Sequence, residues 1–169
     1  MITNRIFMDT EFIERGPDYP LKLISIGLVS DTAGNSLYQV SSDFDEAECG
    51  EWLRDNVLPN VGPGARIPNR GIARHIREWI SEEGGEPEFW GFYADYDWVV
   101  FAQLFGTMMD LPKGWPMYCR DIKQMCDSLG NPRLPEQSTV EHNALWDALW
   151  NRDAYHWLID YRDSLVFGE

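Results

Sequence analysis

The chain has 169 residues, of which 44% are hydrophobic and 14% aromatic, and a formal net charge of −14. This length suits one compact domain with a substantial core and is too short for two, so we expect a single domain over residues 1–169. Proteins that grip long stretches of phosphate backbone are usually basic, so this charge excludes a broad nucleic-acid-binding surface. Any action on nucleic acid must occur at a small site where bound cations reverse the local charge.

Membrane and secretory signals are not expected. No apolar run approaches the roughly 20 residues that span a bilayer. Residues 1–5 run straight into a strand-like segment, which does not fit a secretory signal. Three cysteines without a C-x-x-C spacing predict reduced thiols in a cytoplasmic protein, not disulfides or a zinc site: Cys49, Cys119 and Cys126.

The first half of the chain predicts three strands and then two helices. Strand formers occupy 5–12, 21–29 and 36–40, separated by turn residues, which indicates an antiparallel meander. Helical patterns follow at 44–58, with Trp52 and Leu53 as inward candidates, and at 70–82, with a loop rich in Pro and Gly between them. The second helix has one apolar face, formed by Ile72, Ile76, Trp79 and Ile80.

In the second half, strands alternate with helices. A buried strand is predicted at 88–93, a helix at 96–105, a short strand at 117–120 and a helix at 121–129. A long helix occupies about 143–161. The whole predicts an α/β fold with a mixed five-stranded sheet flanked by helices.

Four acidic residues stand out by their positions. Asp9 and Glu11 lie two apart on the first strand, so their side chains point to one face. Asp97 lies at the start of a helix and Asp147 early in the last helix, all in apolar surroundings where an unpaired carboxylate costs several kcal/mol. No Lys or Arg is adjacent to any of the four in the sequence. Oxygen-only ligands indicate a divalent cation, Mg²⁺ or Mn²⁺.

His142 belongs with these acids only if it lies outside the last helix. On a regular helix, five residues at about 100° each would place His142 and Asp147 about 140° apart. Asn143 is a good N-cap residue. His142 then precedes the helix and is free to reach the same site as a general base.

Each piece alone has a plainer explanation. A D-x-E pattern in a strand is common, and Asp97 and Asp147 fit helix N-terminal acids that favour the macrodipole. His142 fits a surface histidine in a loop. The combination, in this order and with each residue on the expected element, favours the functional interpretation.

These residues resemble the DEDDh exonucleases, the family of the DnaQ-like proofreading subunits, RNase T and oligoribonuclease. Residues 9–12 (DTEF) look like the first motif, Tyr96 and Asp97 like the second, and 142–148 (HNALWDA) like the third. His142 and Asp147 have the H-x4-D spacing of the histidine branch, because the tyrosine branch would have Tyr where this chain has Asn143. The resemblance implies an RNase H-like (DnaQ-like) fold.

Within that family the chain is most similar to the RNase AS subfamily. The matching segments are 9–14 (DTEFIE), 23–27 (LISIG) and 103–106 (QLFG), with Leu111 and Pro112 after them. This resemblance implies a small 3′-5′ exoribonuclease that prefers adenylate-containing RNA and forms a homodimer. Asp95 departs from the pattern, because relatives usually carry a small neutral residue there; it either adds charge near the metals or points to solvent.

By resemblance, four carboxylates would hold two Mg²⁺ ions about 3.5–4 Å apart, with Mn²⁺ as a substitute. These are Asp9, Glu11, Asp97 and Asp147, and Glu11 is also assigned a catalytic part. One ion would activate the attacking water and the other would steady the leaving 3′ oxygen. Neutral His142 would take the proton from that water, so activity would rise through about pH 6 to 8. The substrate would be the 3′ end of single-stranded RNA and the product a nucleoside 5′-monophosphate.

Substrate contacts are less constrained. Thr10 and Phe12 flank the first motif, and Phe12 is a candidate to stack on the terminal base and equally a core residue. A basic run either guides the phosphate backbone or, as we favour, forms a solvated helix face paired with Glu78 and Glu82: Arg66, Arg70, Arg74 and Arg77. Three tryptophans are core residues by default or line a dimer surface: Trp146, Trp150 and Trp157.

Two alternatives remain open from the sequence. A DNA exonuclease would use the same mechanism, and the contact that distinguishes ribose from deoxyribose is not readable from one sequence. A catalytically silent RNase H-like module could instead bind a protein partner through its acidic surface. Presence of all five predicted site residues argues against the silent module, which needs none of them.

Overall fold

A computed structural model describes residues 3–17, 19–31, 35–62, 65–138 and 140–167. Within these residues, six strands form one sheet: β1 (Thr3–Ile13), β2 (Lys22–Ser30), β3 (Ser36–Ser41), β4 (Arg66–Ile67), β5 (Glu86–Gly91) and β6 (Arg120–Asp121). Their order across the sheet is β4-β3-β2-β1-β5-β6. The predicted mixed sheet is confirmed, but the predicted number of five strands is wrong.

The strand pairing explains why the mixed sheet is predicted correctly and why one strand is missed. β1, β2 and β3 form the predicted antiparallel meander, whereas β4 pairs parallel to β3, β5 parallel to β1, and β6 parallel to β5. The unpredicted strand is β4, which lies in the stretch expected to be a loop and pairs with Val40 and Ser41. A two-residue strand has no periodicity to detect, because its formation depends on the neighbouring edge of the sheet.

Five helices are described: α1 (Glu51–Asn56), α2 (Asn69–Glu83), α3 (Asp95–Gln103), α4 (Ile122–Ser128) and α5 (Ala144–Phe167). The single helix predicted over 44–58 is wrong. A 3₁₀ turn at Glu46–Glu48, capped by Asp45, is followed by extended backbone at Cys49 and Gly50 before α1 begins, and a second 3₁₀ turn at Leu58–Asn60 follows. Trp52, predicted to point inward, is 56% exposed on this short helix.

Helices cover both faces of the sheet, and side-chain parity along β1 assigns each face. Ile6 and Met8 pack with α2 and α3, whereas Phe7 packs with α4 and α5. Because side chains alternate along a strand, Asp9 and Glu11 share the face of Phe7, and both point toward α5. None of the helices in the described ranges is long and apolar enough to cross a bilayer.

Candidate active site

Three carboxylates meet where β1 faces the start of α5. Ligand oxygens of Asp9, Glu11 and Asp147 all lie within 4.8 Å of one another. Asp9 and Glu11 reach the same point because they are two residues apart on β1 and therefore lie on one face of the sheet. The register with β2 shifts just after Glu11. Such bulges are common beside active sites because they redirect side chains. An all-oxygen group of this size suits Mg²⁺ or Mn²⁺.

Gly27 allows α5 to come this close to the sheet. Gly27 pairs with Asp9 in the β1–β2 ladder. A Cβ atom at Gly27 would lie 2.2 Å from the backbone oxygen of Ala144 and 2.6 Å from the Cα of Leu145. Only glycine fits there, so the first turn of α5 lies directly on β2 and carries Asp147 to Asp9.

Two asparagines fix the start of α5. Asn143 accepts hydrogen bonds on Oδ1 from the backbone N–H groups of Leu145 and Trp146, at 3.1 and 3.3 Å, which confirms the predicted N-cap. Asn151, with 1% of its surface exposed, donates from Nδ2 to the carbonyl oxygen of Met8 at 2.9 Å. The helix is therefore bonded to β1 at the residue before Asp9.

Asp97 joins the site through Thr10. Asp97 Oδ1 accepts hydrogen bonds from the Thr10 backbone N–H at 2.7 Å and from the Thr10 hydroxyl at 2.6 Å. The turn before α3 is also held, because Asp121 Oδ2 accepts from the Ala94 N–H at 2.8 Å. Tyr93 in that turn has a φ of 55°. Contacts from β1 and β6 thus set the first turn of α3, where Asp97 lies.

Burial makes the charged forms of the four carboxyl groups unfavourable unless a cation compensates them. Burial, followed by repulsion from the other carboxylates, raises the pKa of Asp9 well above its usual value and raises the pKa of Glu11 to about 8. Burial raises the pKa of Asp97 to about 6 against the opposing hydrogen bonds from Thr10. Burial also raises the pKa of Asp147, although Gln137 donates to it at 2.6 Å. Over the described part of the chain, no ion pair includes any of these four residues.

His142 lines the same cleft and lies just before α5, as predicted. The cleft has a volume of about 390 Å³ and is lined by Asp9, Phe92, Gln137, Glu141, His142, Asp147, Trp150 and Asn151. His142 has a φ of 62°, in the left-handed region. Its ring meets the edge of the Trp52 ring, with centroids 4.9 Å apart and planes at 78°. The five predicted residues are thus gathered at one end of β1.

Other predicted residues occupy positions that leave their roles as predictions. Thr10 is 5% exposed, and its hydroxyl is engaged by Asp97. Phe12 is half-buried and stacks on Tyr96, with centroids 5.8 Å apart and planes at 3°. Asp95 is exposed, which favours the solvent-facing alternative.

The basic run is partly neutralised. Arg66 pairs with Glu46 at 2.6 Å, and Arg74 lies 4.0 Å from Glu78 on the surface of α2. Arg77 lies over the Phe105 ring, 5.8 Å from its centroid. The pairing of Arg74 with Glu78 agrees with the favoured interpretation of a solvated helix face.

Sequence reasoning missed several residues that shape the site. The sequence pattern predicts that Trp52 points inward, and Gln137 lies in a loop with no pattern to mark it. Asn151 has one detectable signal, since it falls among the apolar residues of a helix where a polar side chain must find a partner. Asp121 had a clearer one, because an Asp directly before a helix is a typical N-cap.

Comparison with known proteins identifies the family to which this chain belongs. Residues 4–159 match the model of a family described as the 3′-5′ exoribonuclease Rv2179c-like domain. The chain belongs to this family. The predicted enzyme class, a 3′-5′ exoribonuclease, is therefore confirmed.

Curated relatives of this Rv2179c-like domain come from Mycobacterium tuberculosis. The 3′-5′ exoribonuclease Rv2179c of strain ATCC 25618 / H37Rv is 38% identical over 148 residues, which cover 85% of this chain and 86% of the relative. The 3′-5′ exoribonuclease MT2234.1 of strain CDC 1551 / Oshkosh gives the same figures. The alignment therefore extends over most of both proteins.

Solved structures support the fold of the Rv2179c-like domain. Pop2p of S. pombe, in a form with Mg²⁺ and Mn²⁺ bound, superposes with a TM-score of 0.59 at 15% identity, covering 91% of this chain and 82% of Pop2p. The cell-death related nuclease CRN-4 superposes with a TM-score of 0.56 at 13% identity, covering 94% and 64%. The predicted RNase H-like α/β fold is confirmed.

Proposed function

We propose that this enzyme removes nucleoside 5′-monophosphates one at a time from the 3′ ends of single-stranded RNA, with Mg²⁺ ions held by its acidic cluster. One observation carries the proposal. The oxygens of Asp9, Glu11 and Asp147 converge within 4.8 Å, burial raises the pKa of each carboxyl, and repulsion from neighbouring carboxylates raises the pKa of Asp9 and Glu11 further. Such a group is unfavourable without a cation and is matched by one or two divalent ions. The names of the Mycobacterium tuberculosis relatives support RNA as the substrate.

The proposed ion site uses four carboxylates. Asp9, Glu11 and Asp147 are the central ligands, and Asp97, oriented by Thr10, completes the set. Two bound Mg²⁺ ions would supply an activated water and stabilise charge on the leaving 3′ oxygen. The oxygen-only donor set fits Mg²⁺ and accommodates Mn²⁺, and the Pop2p structure holds both ions.

The chain's own residues would handle the proton. His142 lines the cleft with Asp9 and Asp147, and a neutral imidazole there accepts the proton of the attacking water. Glu11 is proposed to have a catalytic part as well as its part as a ligand, because its carboxylate lies in the same group as Asp9 and Asp147.

Finer features of the proposal rest on the resemblance stated above. We propose a preference for adenylate, with Thr10 and Phe12 beside the terminal nucleotide, because the half-buried Phe12 ring stacks on Tyr96, the residue before Asp97. A homodimer is proposed with Trp146, which is 43% exposed on α5, in or near the contact. Three free thiols are compatible with the proposed cytoplasmic location: Cys49, Cys119 and Cys126.

The test uses three substrates and one control variant. Purified protein with Mg²⁺ is incubated with 5′-labelled poly(A) RNA, poly(U) RNA and oligo(dA), beside the Asp9→Asn variant and an EDTA-treated sample. We expect a shortening ladder on poly(A) that is weaker on poly(U), absent on oligo(dA), and lost in the variant and with EDTA. Equal ladders on both RNAs would remove the adenylate preference, and faster cleavage of oligo(dA) would favour the DNA alternative. Intact substrates with both Mg²⁺ and Mn²⁺ would contradict the catalytic assignment.

A further inference from the structure

We infer that Trp52 and Asn60, on a segment remote in sequence from the catalytic motifs, position the His142 side chain for proton transfer. This inference rests on the proposed role of His142 as proton acceptor. It assigns to the α1 region a function in the reaction beyond packing. The contacts that carry it lie on both sides of His142 and against its ring.

Asn60 is hydrogen-bonded to both neighbours of His142. The Asn60 Nδ2 donates to the carbonyl oxygen of Glu141 at 3.1 Å, and the Asn143 Nδ2 donates to the carbonyl oxygen of Asn60 at 2.7 Å. We call this pair of hydrogen bonds the Asn60 clasp. Because it holds residues 141 and 143, the clasp defines the path of the backbone between them.

The backbone held by the clasp is in an unfavourable conformation. His142 has a φ of 62°, a region that residues other than glycine seldom occupy. Such conformations persist when surrounding contacts over-determine them, and they are concentrated at functional sites. Here the surrounding contacts are the clasp and the cap that Asn143 places on α5. Asn60→Ala would remove the bond to Glu141 while the Asn60 carbonyl still accepts from Asn143, and loss of that bond would allow the His142 backbone to relax and carry its ring elsewhere.

The clasp is also anchored to the core beneath the active site. Asn60 Nδ2 donates a second hydrogen bond, to the carbonyl oxygen of Asn56 at the end of α1, at 2.7 Å. Val57, between them, is fully buried in a cluster with Ile13, the last residue of β1. The clasp is therefore built on the end of the strand that carries Asp9 and Glu11, so histidine and carboxylates share one support.

Trp52 limits the remaining freedom of the imidazole. Its ring packs edge-on against His142 at 4.9 Å between centroids. The Trp52 side chain is nevertheless 56% exposed, so burial in the core does not explain its position. A rigid indole against one side of the imidazole restricts the rotamers that the His142 side chain can adopt. Precise placement matters because a misplacement of about 1 Å at a reacting centre costs about 10²-fold in rate.

The test is a double-mutant cycle in steady-state and single-turnover kinetics on 5′-labelled oligo(A) RNA with Mg²⁺. The variants are Asn60→Ala, Trp52→Leu, Trp52→Phe and His142→Ala, and each of the first two combined with His142→Ala. Arg54→Ala is the matched control, because Arg54 Nη2 donates to the Ala47 carbonyl at 3.2 Å, a bond from side chain to backbone in the same segment that involves neither Trp52 nor Asn60. Thermal unfolding and calorimetric Mg²⁺ titration accompany every variant.

We expect His142→Ala to lose about 10²-fold or more in kcat, as removal of a general base does. Asn60→Ala and Trp52→Leu are expected to lose about tenfold in kcat, with KM and Mg²⁺ affinity within twofold of the parent. Trp52→Phe retains an aromatic ring and is expected to recover most of the rate, and Arg54→Ala is expected to match the parent. In the His142→Ala background neither substitution should lower kcat further, because residues that act through one group are not additive.

The outcomes separate the inference from the function on which it rests. Parental kcat in His142→Ala would overturn the proposed role of His142 itself. A defective His142→Ala with normal kcat in Asn60→Ala and Trp52→Leu would overturn only the positioning role. Raised KM with unchanged kcat in Trp52→Leu would assign Trp52 to RNA stacking and overturn its positioning role. Additive losses in the His142→Ala background would indicate general structural damage and would also overturn the inference.

Discussion

Substitution of Gly27 by alanine tests whether the close approach of α5 to β2 assembles the site. The added Cβ would lie 2.2, 2.4 and 2.6 Å from the Ala144 oxygen, the Ala144 carbonyl carbon and the Leu145 Cα. All three are backbone atoms, so no change of side-chain rotamer can relieve the overlap. Ordinary contact begins at 3.4 Å, so the start of α5 must retreat by about 1 Å.

That retreat acts directly on the carboxylate cluster. Asp147 lies one turn into α5, and Gly27 pairs with Asp9 across the ladder, so the displacement separates Asp147 from Asp9 and Glu11. Overpacking of this kind costs roughly 1–3 kcal/mol in folding free energy, which a domain of this size tolerates. A shift of about 1 Å at a reacting centre costs about 10²-fold in rate. We therefore expect a folded Gly27→Ala protein with about 1% of the parental kcat and weakened Mn²⁺ binding.

The assay is single-turnover cleavage of oligo(A) RNA, with calorimetric Mn²⁺ titration and thermal unfolding. Gly71→Ala is the matched control. Gly71 lies in α2, and a Cβ atom there would meet the Ile67 side chain at an ordinary contact distance of 3.6 Å. Alanine is the better helix former, so this control is expected to be fully active and slightly more stable. Parental activity and Mn²⁺ affinity in Gly27→Ala would refute the argument that the contact between α5 and β2 positions Asp147.

Three further predictions concern the charge and support of the cluster. The pKa of Glu11 is raised from 4.5 to about 8 in the folded state, so the free energy of unfolding of the metal-free protein should fall by a few kcal/mol as pH rises through that window. Calorimetry should show a falling Tm, and Mg²⁺ should restore more of the Tm at pH 8 than at pH 5. A metal-free Tm that does not change with pH would contradict the argument that the cluster lacks a compensating charge. Thr10→Val removes the hydroxyl that is hydrogen-bonded to Asp97 at 2.6 Å. The variant should lose about 1–2 kcal/mol of stability in urea unfolding and about tenfold in kcat, and parental values of both would count against a positioning role for Thr10. Asn151→Leu leaves the Met8 carbonyl without its 2.9 Å donor and should lower stability by about 1–3 kcal/mol, or Tm by several degrees; an unchanged Tm would show that the bond is dispensable.

The sequence by itself determined the features that depend on local spacing. Alternation along a strand placed Asp9 and Glu11 on one face, and the capping chemistry of Asn143 placed His142 before the last helix. Both follow from backbone geometry within a few residues. The antiparallel meander was readable for a related reason, since only eight and five residues join its consecutive strands, and consecutive strands so joined usually lie side by side.

Only the tertiary structure decided what depends on distant segments. The strand β4 exists because an edge of β3 is available to it, and helix propensity over 44–58 gave way to the 3₁₀ turns around α1. Trp52 contacts His142 across 90 positions of chain, and nothing local to either residue indicates the contact. Gly27 is similar, because its missing side chain matters only once α5 lies on it. Spacing along the chain specifies which groups face one way, whereas packing between elements specifies which of those groups meet.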